Sequence, residues 1–359
     1  MSAFGDDFPP HGAESLSGLV SGPKADPPCP RREDTEKSDS RPHYAEFLGL
    51  PAVIASPAMR RLMSTVEKIA RTDAPVLITG ESGTGKEVVA RAIHHFPPRC
   101  SRAFVDVNCA ALPENLMESE LFGYEKGAFS GADAIKPGFF ETAHGGTLFL
   151  DEIGELDPRM QAKLLRALDG QPYYRLGGTK KIVAEPRVVA ATNLPLAQAL
   201  ESGKFRRDLY HRLDVFQLRI PPLRNRVEDI GPLCQLFLRN SGISLGEDAL
   251  AILEEYSWPG NIRELRNVLT RAALFVNGDQ IRANDLPLEL ACGEAHPGEG
   301  EYSLTDLEQQ TIFRVLAQTN GHQQKAAELL GISRRTLIRK LKTYRSHART
   351  SAKPAHRPS

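Results

Sequence analysis

The chain has 359 residues, 41% of them apolar and 25% charged, with 45 basic residues balanced by 45 acidic ones. That length suits two or three domains, since one core rarely grows past about 250–300 residues, and the composition is that of a globular chain. Zero net charge excludes a global field drawing nucleic acid or membrane to the whole molecule, and no uninterrupted apolar run approaches the roughly 20 residues of a membrane span.

The start, MSAFGDDFPP, lacks the basic lead and apolar core of a signal peptide. Cysteines 29, 100, 109, 234 and 292 are scattered, odd in number and without CxxC spacing. They read as reduced thiols rather than a disulfide framework or zinc site, and a cytoplasmic location is expected.

Residues 1–45 are rich in Pro, Ser, Gly and charge and are expected to form a disordered tail. From 46 to 222 strand and helix patterns alternate. The short β-rich runs PVLIT (75–79), AFVDV (103–107), TLFLD (147–151) and PRVVAAT (186–192) predict an α/β domain with a parallel sheet. Residues 223–285 read as helical, 286–301 as a Gly/Pro/acid-rich linker, 302–345 as a final helical domain and 346–359 as a basic tail. The neutral total hides an asymmetry: from Ser303 onward eleven basic residues face three acidic ones, a net +8.

Gly80-Glu81-Ser82-Gly83-Thr84-Gly85-Lys86 fits GxxxxGK, directly after PVLIT and directly before EVVARAIHHF. Strand, glycine loop and helix is the context in which backbone N–H groups and a helix N-terminus cradle a polyphosphate, with Lys86 reaching its outer phosphates. Glu87 stands where the generic motif has a Mg²⁺-binding hydroxyl. The apolar strand GGTLFLD ends in Asp151 and Glu152. Beside the glycine loop, Asp151 would hold Mg²⁺, directly or through water, and Glu152 would polarise the water attacking the γ-phosphate. ATP hydrolysis is the expected reaction.

Several stretches together resemble the bacterial enhancer-binding proteins, the sigma-54-dependent transcription activators among the AAA+ ATPases. GESGTGKE (80–87) has that family's form, Glu87 included. GAFSGA (Gly127, Ala128, Phe129, Ser130, Gly131, Ala132) resembles the family's surface-loop signature GAFTGA, with Ser130 keeping the hydroxyl and dropping a methyl. GGTLFLDEI (145–153), QAKLLRAL (161–168), LGGTK (176–180), AATN (190–193), FRRDLYHRL (205–213) and WPGNIREL (258–265) follow in the family's order, so the resemblance covers roughly 46–345. It implies an AAA+ P-loop domain with a helical lid and a small all-α Fis-type helix-turn-helix domain. It also implies that Phe129 contacts sigma-54 from a loop driven by nucleotide state. A glycine-flanked aromatic suits that task, because it is mobile and supplies contact area.

Further implications concern single residues. Asn108 resembles the switch Asn that orients Glu152, and Asn193 the first sensor. Arg206 and Arg212 resemble arginine fingers supplied by a neighbouring subunit, worth roughly 10³–10⁵ in turnover. Arg207, where the family more often has an acidic or small residue, reads as a solvated surface group. Asn261 looks like an N-cap with Glu264 three residues on, which puts Arg263 in the first helical turn, where the dipole disfavours a cation unless phosphate is near. Arg263 then matches the family's sensor arginine.

In KAAELLG and ISRRTLIRKLKTY (325–344), Gly331 separates two helical patterns. Leu337, Ile338, Leu341 and Tyr344 share one face of the second. Arg334, Arg335, Thr336 and Arg339 are the candidate contacts of a basic recognition helix in the major groove. The resemblance implies double-stranded enhancer DNA and sigma-54 RNA polymerase as partners, a ring (a hexamer, with dimers on DNA) and ATP with Mg²⁺. About 45 residues precede the ATPase, too few for a receiver or ligand-sensing domain, so control in trans by a regulatory protein, or by expression level, is expected. Two rival functions are a DNA-binding regulator with a vestigial ATPase and a general AAA+ remodeller.

Overall fold

The computed structural model describes residues 42–276, 278–287, 322–325, 334, 337 and 340. The chain divides into two compact units, Met1–Ala295 and His296–Ser359.

In the first unit a five-stranded parallel sheet runs in the order Phe216–Arg219, Val76–Thr79, Arg187–Thr192, Thr147–Asp151, Phe104–Asn108. Strand side chains alternate between faces, and the core divides accordingly. Leu77, Leu148, Leu150, Val188 and Ala190 pack one face against Leu164 of helix Pro158–Leu168 and Leu209 of helix Arg207–Leu213. Val76, Ile78, Phe149, Val189 and Ala191 pack the other against helices Pro57–Ala70 and Lys86–His95. The strand Arg187–Thr192 is buried along its whole length, as expected of a parallel strand covered on both sides. Four of the five strands follow the sequence pattern. The fifth, FQLR, went unread because it is a four-residue edge strand with two exposed side chains.

An antiparallel hairpin, His43–Phe47 with Leu50–Ile54, precedes the sheet domain. Its first strand begins inside the segment expected to be a tail, and the alternation in HYAEF is the signal for it. Residues 1–41 lie outside the described residues.

Beyond the sheet, helices Ile230–Leu238, Glu247–Glu255 and Asn261–Phe275 form the lid around Leu233, Leu253, Trp258, Leu265 and Leu269. Trp258 is fully buried, and its indole Nε1 donates to Leu253 O at 2.7 Å. A two-residue parallel pairing, Ser244–Leu245 with Gln280–Ile281, interrupts the predicted all-helical run. Among the described cysteines, Cys109 and Cys234 are buried free thiols. Cys100 is disulfide-bonded, contrary to the expectation of reduced thiols throughout. In the second unit Arg334, Leu337 and Lys340 are helical, with Leu337 fully buried and Arg334 exposed.

Candidate nucleotide site and surface loop

The strand Val76–Thr79 runs into Gly80, and helix Lys86–His95 begins at Gly85. Gly83 has φ 74°, and a Cβ there would stand 2.4 Å from Gly260 O, so the lid side of this loop admits only glycine. Lys86 is buried. Its Nζ donates to Gly80 O at 3.3 Å and stands 3.3 Å from Glu152 Oε1. Glu87 also lines the cleft and is paired along its own helix, where Arg91 Nε donates to Glu87 Oε1 at 2.8 Å.

Asp151 ends its strand in register with Asn108. Burial, reinforced by the charge of Glu152, raises its carboxyl above the ordinary range. Asp151 Oδ1 accepts from Glu152 N at 3.0 Å. Glu152 itself has φ 51°, a left-handed conformation that costs a non-glycine residue on the order of 1 kcal/mol and concentrates at functional sites. Its second oxygen accepts from Asn193 N at 3.0 Å. The carboxylate is thus held by Lys86 and by Asn193, whose backbone makes the contact. Asn108 lies beside this pair, but its Oδ1 accepts from Ala110 N at 2.9 Å in a local turn.

The lid supplies the far wall. Asn261, expected as an N-cap, is instead the first helical residue, with φ 52° and no exposure. Its amide reaches across to the glycine loop, donating to Ser82 O at 3.0 Å, and Gly260 takes the cap position, its N donating to Glu264 Oε2 at 2.8 Å. The compact Trp-Pro-Gly turn ends the lid's second connection one residue earlier than the polar pattern suggested. Arg263 Nη1 donates to Ser82 Oγ at 2.8 Å, placing the predicted sensor on the loop.

Three residues of this wall were missed in the sequence. Arg224 holds Glu81 through two bonds of 2.6 and 2.9 Å. Buried Arg226 donates from Nη2 to Thr84 O at 2.7 Å. Asp229 accepts from Ala55 N, Ser56 N and Ser56 Oγ, fixing the first helix to the lid. The signal available was the closely spaced arginines and acids of LRNRVED where the sheet domain meets the lid. The cleft between these walls measures about 1000 Å³. Lys86, Asp151, Glu152 and Arg263 line one part, and apolar Ile54, Met63 and Phe237 are among its other lining residues.

Arg206 and Arg212 do not line this cleft. Both are exposed: Arg206 pairs with Asp208 at 2.7 Å and Arg212 with Asp169 at 3.2 Å. Arg207 is exposed, as expected.

GAFSGA forms a tight surface turn. Gly127 N donates to Ala132 O at 2.8 Å, and Gly127 and Gly131 take φ 82° and 103°. Phe129 is 41% exposed and leans edge-on against Tyr124, ring centres 5.0 Å apart. The LGGTK segment and the arginine before it brace the turn: Glu125 N donates to Leu176 O at 3.0 Å, and Arg175 pairs with both Glu125 and Glu141. Of the candidate DNA contacts, Arg334 is exposed on a helix, whereas Arg335, Thr336 and Arg339 lie outside the described residues.

Comparison with known proteins adds three family matches: a sigma-54 interaction domain over 52–219, an AAA+ ATPase lid domain over 224–302, and a bacterial regulatory protein of the Fis family over 303–344. The transcriptional regulatory protein ZraR of Klebsiella oxytoca is 46% identical over 297 residues, covering 80% of this chain and 67% of that one. FlbD of Caulobacter vibrioides is 43% identical over 319 residues, covering 82% and 70%. Among solved structures, NtrX of Brucella abortus in complex with ATP has a TM-score of 0.63 at 37% identity, covering 81% of this chain and 68% of that one.

Proposed function

The chain belongs to the sigma-54-dependent transcriptional activators, and from that premise we propose that a ring of its copies hydrolyses ATP to drive the Phe129 loop against sigma-54 polymerase, converting closed to open promoter complex. It is an AAA+ ATPase with a sigma-54 interaction domain and a Fis-type DNA-binding domain. The observation that carries the reading is one fold presenting a complete phosphate cradle and, separately, an exposed aromatic on a glycine-flanked turn.

ATP's phosphates sit against Gly80–Lys86, and Lys86 then exchanges Glu152 for phosphate oxygens. Released, Glu152 polarises the attacking water, and Asn108, in register with Asp151 on the neighbouring strand, is assigned to orient it after leaving its local turn. Asn193 contributes its backbone N–H, set against Glu152, and Arg263 its guanidinium, set against Ser82. Asp151 would hold Mg²⁺, directly or through water: it lines the cleft, and burial together with the adjacent Glu152 charge penalises its ionised form, a penalty that a dication would relieve. Bound there, Mg²⁺ would neutralise charge on the phosphates. Arg206 and Arg212, exposed and outside their own cleft, suit completion of a neighbour's site, which supports the ring. Arg334, Arg335, Thr336 and Arg339 are assigned to enhancer DNA. A cytoplasmic location completes the reading. No described helix is long and apolar enough to cross a membrane.

A conventional repressor with a dead ATPase is disfavoured, because Lys86, Asp151 and Glu152 are all present and line one cleft. Transcription in vitro from a sigma-54 promoter, with ATP turnover measured alongside, tests the assignment. Turnover without promoter opening by the wild-type chain would refute it.

A further inference from the structure

Between Glu81 and Thr84 the phosphate loop is bonded to the lid at every residue. Arg224 takes Glu81, Arg263 takes Ser82 Oγ, Ile262 N donates to Gly83 O at 3.0 Å, and Arg226 takes Thr84 O. One side chain joins three of the segments involved. Asn261 Oδ1 accepts from Leu223 N at 2.7 Å, at the entry to the lid. Its Nδ2 donates to Ser82 O at 3.0 Å and Glu81 Oε2 at 3.2 Å in the loop, with a longer approach of 3.5 Å to Pro259 O. The residue is fully buried and holds φ 52°. Asn tolerates that left-handed conformation better than most residues. A carboxylate in its place would face Glu81 without a proton between them, and an apolar side chain would orphan Leu223 N.

We propose that Asn261 is a positioning residue for nucleotide binding: it locks the phosphate loop to the lid, so that the loop's N–H groups and Arg263 form one preformed phosphate seat. The effect runs through the loop, since Asn261 meets Glu81 and Ser82 rather than the reacting atoms. Preorganisation of this kind appears in affinity, because a loop that must be ordered on binding takes the ordering cost out of the binding free energy. The proposal rests on the cleft being the ATP site.

Two variants separate positioning from folding. Asn261→Gly keeps the left-handed backbone without strain and deletes only the side-chain bonds. Asn261→Asp sets two carboxylates against each other, and adding Glu81→Gln restores a hydrogen bond with donor and acceptor exchanged. ADP affinity by calorimetry, KM and kcat for ATP, and thermal unfolding are measured on the full chain. Asn261→Gly should weaken ADP about tenfold and raise KM for ATP similarly, with kcat falling less than threefold. Asn261→Asp should weaken ADP further, and Asn261→Asp/Glu81→Gln should regain at least fivefold of that loss. Asn261→Gly binding ADP within twofold of wild type, or a double variant no tighter than Asn261→Asp, would overturn the positioning role alone. Failure of the wild-type chain to bind ADP would overturn the nucleotide reading and the proposal with it.

Discussion

Lys86 and Glu152 meet at 3.3 Å across the cleft, the motif lysine against the carboxylate assigned to activate water. In the proposed reaction phosphate oxygens would compete for the same ammonium, so that this one contact would couple nucleotide binding to freeing of the base. Lys86→Ala should therefore abolish both nucleotide binding and hydrolysis. Glu152→Gln should retain ATP binding and lose roughly 10²–10⁴ in turnover, the usual weight of general-base catalysis. Filter binding of labelled ATP beside a phosphate-release assay distinguishes the two. Equal loss of binding in both variants would contradict the assignment of Glu152.

Phe129 makes its ring contact with Tyr124, at the surface and away from the cleft. Phe129→Ala should keep ATP turnover within about twofold, since surface changes away from special features cost little, and should fail to open a sigma-54 promoter. Ser130→Thr adds a methyl and should preserve activation. Normal promoter opening by Phe129→Ala would remove the loop's assigned role.

Much of this site is legible in sequence because its chemistry is local. A glycine loop between strand and helix, and two acids at a strand end, need only neighbours in the chain, and the parallel sheet then brings both to one edge. What escaped is set by contacts between distant segments. Arg224, Arg226 and Asp229 matter because the lid folds back on the glycine loop and first helix, and no period or motif marks that return. Asn261 was misread for the same reason: an Asn before an apolar helix is an N-cap on local grounds, yet its amide found the loop at Ser82. The short edge strand Phe216–Arg219 went unread because its two exposed side chains leave too little apolar pattern, whereas the equally short Val76–Thr79 is apolar and buried.

Asp106 is chemically distinct from the acids of the cleft. It sits two residues before Asn108, 3.7 Å from Arg91 Nη2. Burial first, then the negative charge of Glu87, raises its carboxyl to about 6. The folded chain therefore binds a proton that the unfolded chain has released between about pH 4 and 6, and stability falls as pH rises through that window. Asp106→Asn removes the penalty. It should match wild type near pH 4 and exceed it at pH 7, by on the order of 1 kcal/mol once solvent screening of this half-open site is allowed for. Urea unfolding at both pH values measures the difference. An Asn variant less stable at pH 7 would mean that the Arg91 contact outweighs burial.

The net +8 of the C-terminal segment predicts salt-sensitive DNA binding there. Arg335→Ala and Arg339→Ala should each weaken enhancer binding by about 1–3 kcal/mol if they read base edges, leaving ATP turnover of the unbound chain unchanged. Electrophoretic shift with a target and a scrambled duplex separates base reading from phosphate attraction. Retained affinity in both variants would move recognition elsewhere on the domain.

The shared-site reading makes the strongest demand on the fold. Arg206 and Arg212 are held by Asp208 and Asp169 on their own chain, outside the cleft they are meant to serve. If they act on a neighbour, a chain lacking both arginines still has a sound cleft, and a Lys86→Ala chain still has sound arginines. Each preparation alone should be inactive. Mixed, they should recover measurable turnover, because some seams then pair an intact cleft with intact arginines. Turnover of the wild-type chain should also rise more steeply than linearly with concentration as seams assemble. Mixtures as dead as their components, or a rate strictly proportional to concentration for a chain that sediments as a monomer, would place the whole reaction within one subunit.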